Sequence, residues 1–462
     1  MTAADLATVY GQAANRALQL APTSVIAVVD RDGRAVLIRT TSGGTNYTPA
    51  QAAIAVSKAG TTVFLSSDGE AFTSRTAGFI IQQHFPPGVL NTPTGPLVGV
   101  GFSSLAYSDV NYFHQLDGTR IPGTRLYGSP GGVPLYKNGQ LVGGIGVTGP
   151  EAEVEDGSIY GPDVNEQIAL SGQIGFEPPA LILATNIFIG GIRLPYVASD
   201  ATPAPAPPGG SPGTGGVVPP SPVVYPIVTL NGVQGQLRTP IQGDPATGTI
   251  SGQARLSAAE VQQILGYAAA RAVITRAGIR QPAGSSAAVF ITVVSNPNQA
   301  GLPPVVLGTF NTPDATVFSW DVAIQKGRTA LFFSNNARAF STRTVGFLAE
   351  TMFPPGIENE PAGPFNGMQE RFSGPIITGG AGTDPNLPNG ITIFAGGFPL
   401  YRNGVMIGAI GVSGDGIEED DLISASGTVG FQPDPSIRAD NFTYLGVRLP
   451  YAKFPREPNV NP

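Results

Sequence analysis

Gly131–Gly149 reads GGVPLYKNGQLVGGIGVTG and Gly396–Gly414 reads GGFPLYRNGVMIGAIGVSG, one motif written twice in a chain of 462 residues. In each copy an Asn-Gly pair (Asn138-Gly139, Asn403-Gly404) stands between β-compatible runs. Asn-Gly tolerates the two positive φ angles of a type I′ turn, so each stretch predicts an antiparallel hairpin. The surrounding glycines imply close backbone approach, by a neighbouring element or by a ligand.

The flanks repeat as well. Thr2-Ala-Ala-Asp5 matches Ser257-Ala-Ala-Glu260, in each case a hydroxyl followed three residues later by a carboxylate, the pattern of a capping box that opens a helix. Two β-rich runs follow (25–30 and 35–39; 289–294 and 305–310), then a helix carrying Lys58 or Lys326. Ala71–Phe79 matches Ala339–Phe347, each leading into Phe-Pro-Pro-Gly (Phe85–Gly88, Phe353–Gly356), where Pro and Gly should stop a helix. Beyond the hairpins come Glu418–Asp421, an acidic helix start with a looser counterpart around Asp163–Gly172, and then a closing Arg-Leu-Pro-Tyr.

The pattern helix, two strands, helix, hairpin, helix predicts an α/β (α+β) protein of two domains, 1–200 and 253–462. Residues 201–224 read as a Pro/Gly-rich linker. Residues 225–252 are β-like, match neither copy, and are expected to form a bridging arm. Met1 falls where the second copy has Leu256. A removed leader is therefore expected, with Met1 a processing artefact.

Composition narrows the function. Hydrophobic residues make up 41%, enough for two cores, while charged residues are 12%, about half the usual share. With 62 Gly and 44 Pro the chain suits an exported or assembly-forming protein, extracellular or periplasmic. A net charge of −7 argues against a nucleic-acid partner. Cysteine is absent, which excludes disulfides, thiolate zinc sites and iron–sulfur clusters. No apolar run is long enough to span a membrane as a helix.

The hairpin signature, the Lys-bearing helix before it and the acidic helix after it resemble the GlcG/HbpS haem-binding family. The resemblance implies two profilin-like domains, each a small antiparallel sheet flanked by helices. It also implies haem or a related tetrapyrrole as ligand, and self-association. The family's strand-turn matches Val28-Val29-Asp30-Arg31-Asp32-Gly33, whereas the second copy reads Val293-Val294-Ser295-Asn296-Pro297 with a longer insertion.

Only two histidines exist, His84 and His114, both in the first copy, so no histidine-based catalytic scheme is shared by the copies. His84 aligns with Met352. Imidazole and thioether are both axial ligands of haem iron, making His84 the metal-ligand candidate. The competing reading is a packing position in a helix-terminal turn. Lys58/Lys326 and Arg75/Arg343 are basic at equivalent places, either to meet haem propionates at a groove mouth or to form structural ion pairs. With Phe72/Phe340 as pocket lining, these eight residues form the cofactor-binding set. His114 reads as a loop residue, and Glu155-Asp156 and Glu418–Asp421 as solvated helix starts. A non-catalytic haem-binding protein is the leading expectation; a structural, self-assembling subunit that reuses the fold is the alternative.

Overall fold

The computed structural model describes residues 1–82, 84–89, 92, 95–98, 124–149, 160–357, 359–377 and 384–453. They fall into two compact units, one within residues 1–223 and one from Val224 onward.

In the first unit α1 (Ala3–Leu20) starts at the expected capping box: Thr2 N–H donates to Asp5 Oδ2 at 2.7 Å, and Asp5 N–H to Thr2 Oγ1 at 3.1 Å. Strands β1 (Val25–Asp30), β2 (Ala35–Thr40), β3 (Gly132–Lys137) and β4 (Gln140–Thr148) form an antiparallel sheet in the order β2-β1-β4-β3. The β3–β4 turn has Asn138 at φ 54° and Gly139 at φ 79°, the type I′ geometry read from the sequence. Helices α2 (Pro49–Phe64), α3 (Ser74–Ile80) and α4 (Val164–Gln173) complete the layers, and a short hairpin, β5 (Phe188–Ile189) with β6 (Ile192–Arg193), follows.

Alternation along β4 explains the glycines. Ile145 and Val147 point into a core shared with Leu6, Val9 and Ala13 of α1 and Ile168 of α4. Gly144 and Gly146 point the other way, towards α2, where a Cβ on Gly146 would overlap the Ala55 carbonyl. The close approach expected of these glycines is therefore made by a helix backbone, which seals that face of the sheet.

The second unit repeats the plan. It comprises β7 (Ile227–Leu230), β8 (Val233–Thr239), α5 (Ala258–Ile274), β9 (Val289–Ser295), β10 (Val306–Asn311), α6 (Phe318–Phe332), α7 (Thr342–Ala349), α8 (Met368–Ile377), β11 (Gly397–Arg402), β12 (Val405–Gly414), α9 (Ile417–Gly427) and the hairpin β13 (Thr443–Tyr444) with β14 (Val447–Arg448). Its sheet runs β11-β12-β9-β10-β8-β7, the order of the first sheet with two strands added beyond β10. Register repeats too: Thr41 N–H bonds Ser24 O at 3.1 Å, and Thr312 N–H bonds Val289 O at 3.0 Å.

Those added strands come from the stretch read as a bridging arm, and they belong to the second unit's own sheet. Asn231 (φ 45°) and Gly232 (φ 81°) turn β7 onto β8, and β8 pairs with β10. An aromatic box anchors the hairpin. The Arg238 guanidinium lies 3.9 Å from the Tyr225 ring centroid and 5.4 Å from that of Trp320, which stacks on Phe290 at 6.1 Å. In the preceding segment Ser211 Oγ accepts from Asn15 Nδ2 at 2.9 Å, so part of the expected linker lies against α1. Helices α3 and α7 end at Ile80 and Ala349, several residues before the Phe-Pro-Pro-Gly motifs expected to stop them.

Candidate functional site

Arg75, on the first turn of α3, is fully buried. Its Nε donates to Glu166 Oε1 at 2.7 Å, and its Nη2 donates to Glu166 Oε2 at 3.0 Å and to Gly161 O at 2.8 Å. Glu166 lies one turn into α4, and its Oε2 also accepts the Ala198 N–H at 3.0 Å. One buried, bidentate ion pair thus ties α3 to α4 and to the segment after Tyr196.

The second copy builds the same tie with more charge. Arg343 Nε donates to Asp421 Oδ2 at 2.7 Å and Nη2 to Glu418 Oε2 at 2.8 Å, while Lys453 N–H donates to Asp421 at 2.6 Å. Lys326, 1% exposed, donates to Asp420 Oδ2 at 2.8 Å and to Val412 O at 2.9 Å. Burial pushes the Asp420 carboxyl up to about 7 against the opposing pull of Lys326, and burial lowers the Lys326 ammonium. The first copy has Asn165 where the second has Asp420, since the Cβ of each faces the equivalent glycine, Gly131 or Gly396. Those glycines, at φ 115° and 116°, leave room for Lys58 Nζ and Lys326 Nζ, which lie 3.3 and 3.0 Å from where a Cβ would stand.

Hence Lys58, Arg75 and Lys326 lie in the interior of their units, and Arg343 is committed to two carboxylates. None lies at a groove mouth. Asp420 and Asp421 are each 1% exposed, which corrects the reading of Glu418–Asp421 as a solvated helix start. Phe72 and Phe340 are buried; each N–H bonds a serine Oγ (Ser66 at 2.9 Å, Ser334 at 3.0 Å), and Phe340 belongs to the second core. His114 and Glu155-Asp156 lie outside the described residues.

His84 is in a different situation. It is half-buried, just past α3, and its Nδ1 lies 3.3 Å from the Thr92 carbonyl. A carbonyl oxygen only accepts, so the neutral ring carries its proton on Nδ1 and keeps the Nε2 lone pair for another partner. A backbone carbonyl fixing one ring nitrogen while the other ligates is the usual way a protein presents histidine to a metal. Next to it, Phe85 meets Phe79 edge-on at 5.6 Å, and Phe79 meets Tyr160 at 6.2 Å. Tyr160 is 64% exposed. Met352 is likewise half-buried, beside an equivalent edge-on pair, Phe347 and Phe353 at 5.5 Å. Among the described residues no group of three or more His, Asp or Glu side chains gathers to hold a metal ion. A haem iron asks for less, one or two neutral donors beside apolar rings, and His84 meets that requirement.

Sequence reasoning had the cations but missed their partners Glu166, Asp420 and Asp421. The available signal was the repeated acidic start of α4 and α9, which pairs with α3 and α7 in both copies.

The family model described as "Haem degrading protein HbpS-like" matches residues 1–160 and again 267–428. No curated protein matches the chain in sequence. Among solved structures, the PduOC:heme complex is 21% identical, covering 39% of this chain and 96% of that one with a TM-score of 0.25. ORFY of Klebsiella pneumoniae is 20% identical, with 38% and 88% covered and a TM-score of 0.24. A double mutant of Streptomyces reticuli HbpS is 22% identical, with 36% and 83% covered and a TM-score of 0.18.

Proposed function

The chain belongs to the HbpS-like family of haem degrading proteins, and on that premise we propose that it is a non-catalytic haem-binding protein that uses His84 as an axial ligand. The observation that carries this reading is the Nδ1–Thr92 carbonyl contact, which keeps the Nε2 lone pair available beside the Phe79–Phe85–Tyr160 cluster. Met352 offers a thioether at the equivalent place in the second copy, a softer and weaker donor for ferric iron. Bound haem would supply an iron centre; the chain's own part is to orient the imidazole and to offer aromatic surface to the macrocycle. Lys58, Arg75, Lys326 and Arg343 act in this reading as internal braces. The charge-poor, Gly- and Pro-rich composition supports an exported, self-associating protein.

Haem titration followed at the Soret band tests the proposal. Saturable binding of one equivalent per chain is expected, with His84→Ala losing the histidine-ligated spectrum while its far-UV circular dichroism stays unchanged. A flat titration at micromolar haem overturns haem binding itself. An unaltered spectrum in His84→Ala overturns the assignment of the ligand.

A further inference from the structure

A sheet ends in strands whose outward N–H and C=O groups invite another chain, and proteins ordinarily blunt them. Among the described residues, three of the four main edges are blunted. On β2 the Arg39 guanidinium donates to Ile38 O at 2.8 Å, and Thr40 N–H is taken by Gly44 O at 2.9 Å. Edge β3 carries Pro134, which has no donor, and its Tyr136 N–H bonds Phe176 O at 2.8 Å. Edge β11 repeats the device with Pro399 and a bond from Tyr401 N–H to Phe431 O at 2.7 Å.

The fourth edge, β7, has none of these defences within it. The two-residue turn Asn231-Gly232 makes Leu230 and Val233 a hydrogen-bonded pair, and Leu237 N–H bonds Pro226 O at 2.9 Å, so the inward positions are 226, 228 and 230. Ile227 and Thr229 therefore turn their backbone groups outward. The side chains beside this edge are apolar and open: Val224 is 88% exposed, Ile227 65% and Val223 43%. No charged residue or histidine occurs between Asp200 and Arg238, so two such edges meet without repulsion.

We propose that β7 is a self-association edge, pairing antiparallel with β7 of a second copy so that two six-stranded sheets join about a twofold axis. Centred on Val228, this arrangement sets Ile227 opposite Thr229 of the partner and closes four backbone hydrogen bonds. It also brings together the exposed valine and isoleucine side chains of both chains. The contact is isologous, so it stops at a dimer. It does not depend on the haem reading.

Thr229→Pro deletes an outward donor, at an edge position where proline is tolerated, and leaves the inward ladder to β8 intact. Two of the four bonds go, and the dimer should dissociate roughly thirtyfold more readily in sedimentation equilibrium. Ile227→Lys, which adds a charge at an exposed side chain, should dissociate it as well and serves if the proline variant does not fold. Trp320 fluorescence should be unchanged in both, and the amides of Ile227 and Thr229 should exchange more slowly as wild-type concentration rises. A wild-type protein that stays monomeric at high concentration overturns the proposal. So does a dimer that survives every folded variant.

Discussion

Replacing Arg75 with Met removes, among the described residues, hydrogen bonds of 2.7, 3.0 and 2.8 Å and strands Glu166, which is 1% exposed. Among the described residues, the Ala198 N–H alone remains to solvate that carboxylate. Truncating one partner of a buried ion pair costs about 3–5 kcal/mol, because the other charge stays behind uncompensated. With a urea m-value of about 2 kcal/mol/M, the unfolding midpoint of the first unit should fall by roughly 2 M. The single tryptophan, Trp320, lies in the second unit, so its fluorescence transition should stay put while the circular dichroism transition moves. Adding Glu166→Gln removes the stranded charge but keeps an acceptor for Ala198, and should restore about 2 kcal/mol. A midpoint shift below about 0.5 M in the single variant would refute the reasoning, as would a double variant no more stable than the single. If Arg75 met haem propionates instead, the variant would lose haem affinity and keep its stability.

Gly411→Ala sets a Cβ against the Ala323 carbonyl on α6, where neither backbone can retreat, and should destabilise the second unit by several kcal/mol, on the order of 3, read from Trp320 unfolding. Burial, then the neighbouring Asp32 charge, raises the Asp30 carboxyl from 3.8 to about 6. The folded state then holds this proton more tightly than the unfolded chain, so its stabilising contribution is full below about pH 4 and is lost as pH rises through about 6. Asp30→Asn should flatten the stability profile in that window, as thermal melts at stepped pH would reveal. Tyr225→Ala opens the box around Arg238 and should cost about 2–4 kcal/mol while red-shifting Trp320 emission.

What the sequence disclosed is local in character. A capping box spans four residues and an Asn-Gly hairpin about a dozen, so Thr2, Ser257, Asn138 and Asn403 could be read directly and each stands as expected. The partners of the buried cations are remote: Arg75 and Glu166 are 91 positions apart, Lys326 and Asp420 94. No periodicity links residues at that range, so cations that brace two helices read as cations free to bind a ligand. The alternation in 227–239 announced strands without saying which edge they would join. Nor does the run from His84 to Thr92 carry any pattern that tells which ring nitrogen the loop will fix.

The hairpin β7–β8 precedes the second repeat in the chain yet lies beyond β10, with Gly235 set against the Phe310 ring. The stretch that was copied and the stretch that packs as one unit therefore have different beginnings. A gene fragment opened at the repeat's own start, near Ser257, would encode every matched element and still leave Phe310 and Trp320 without their cover. One opened before Tyr225 would not. Among the described residues the first sheet ends at β2, with no such hairpin beyond it, so the two repeats are not interchangeable cassettes, and a crossover between them would transmit the repeat but not its lid.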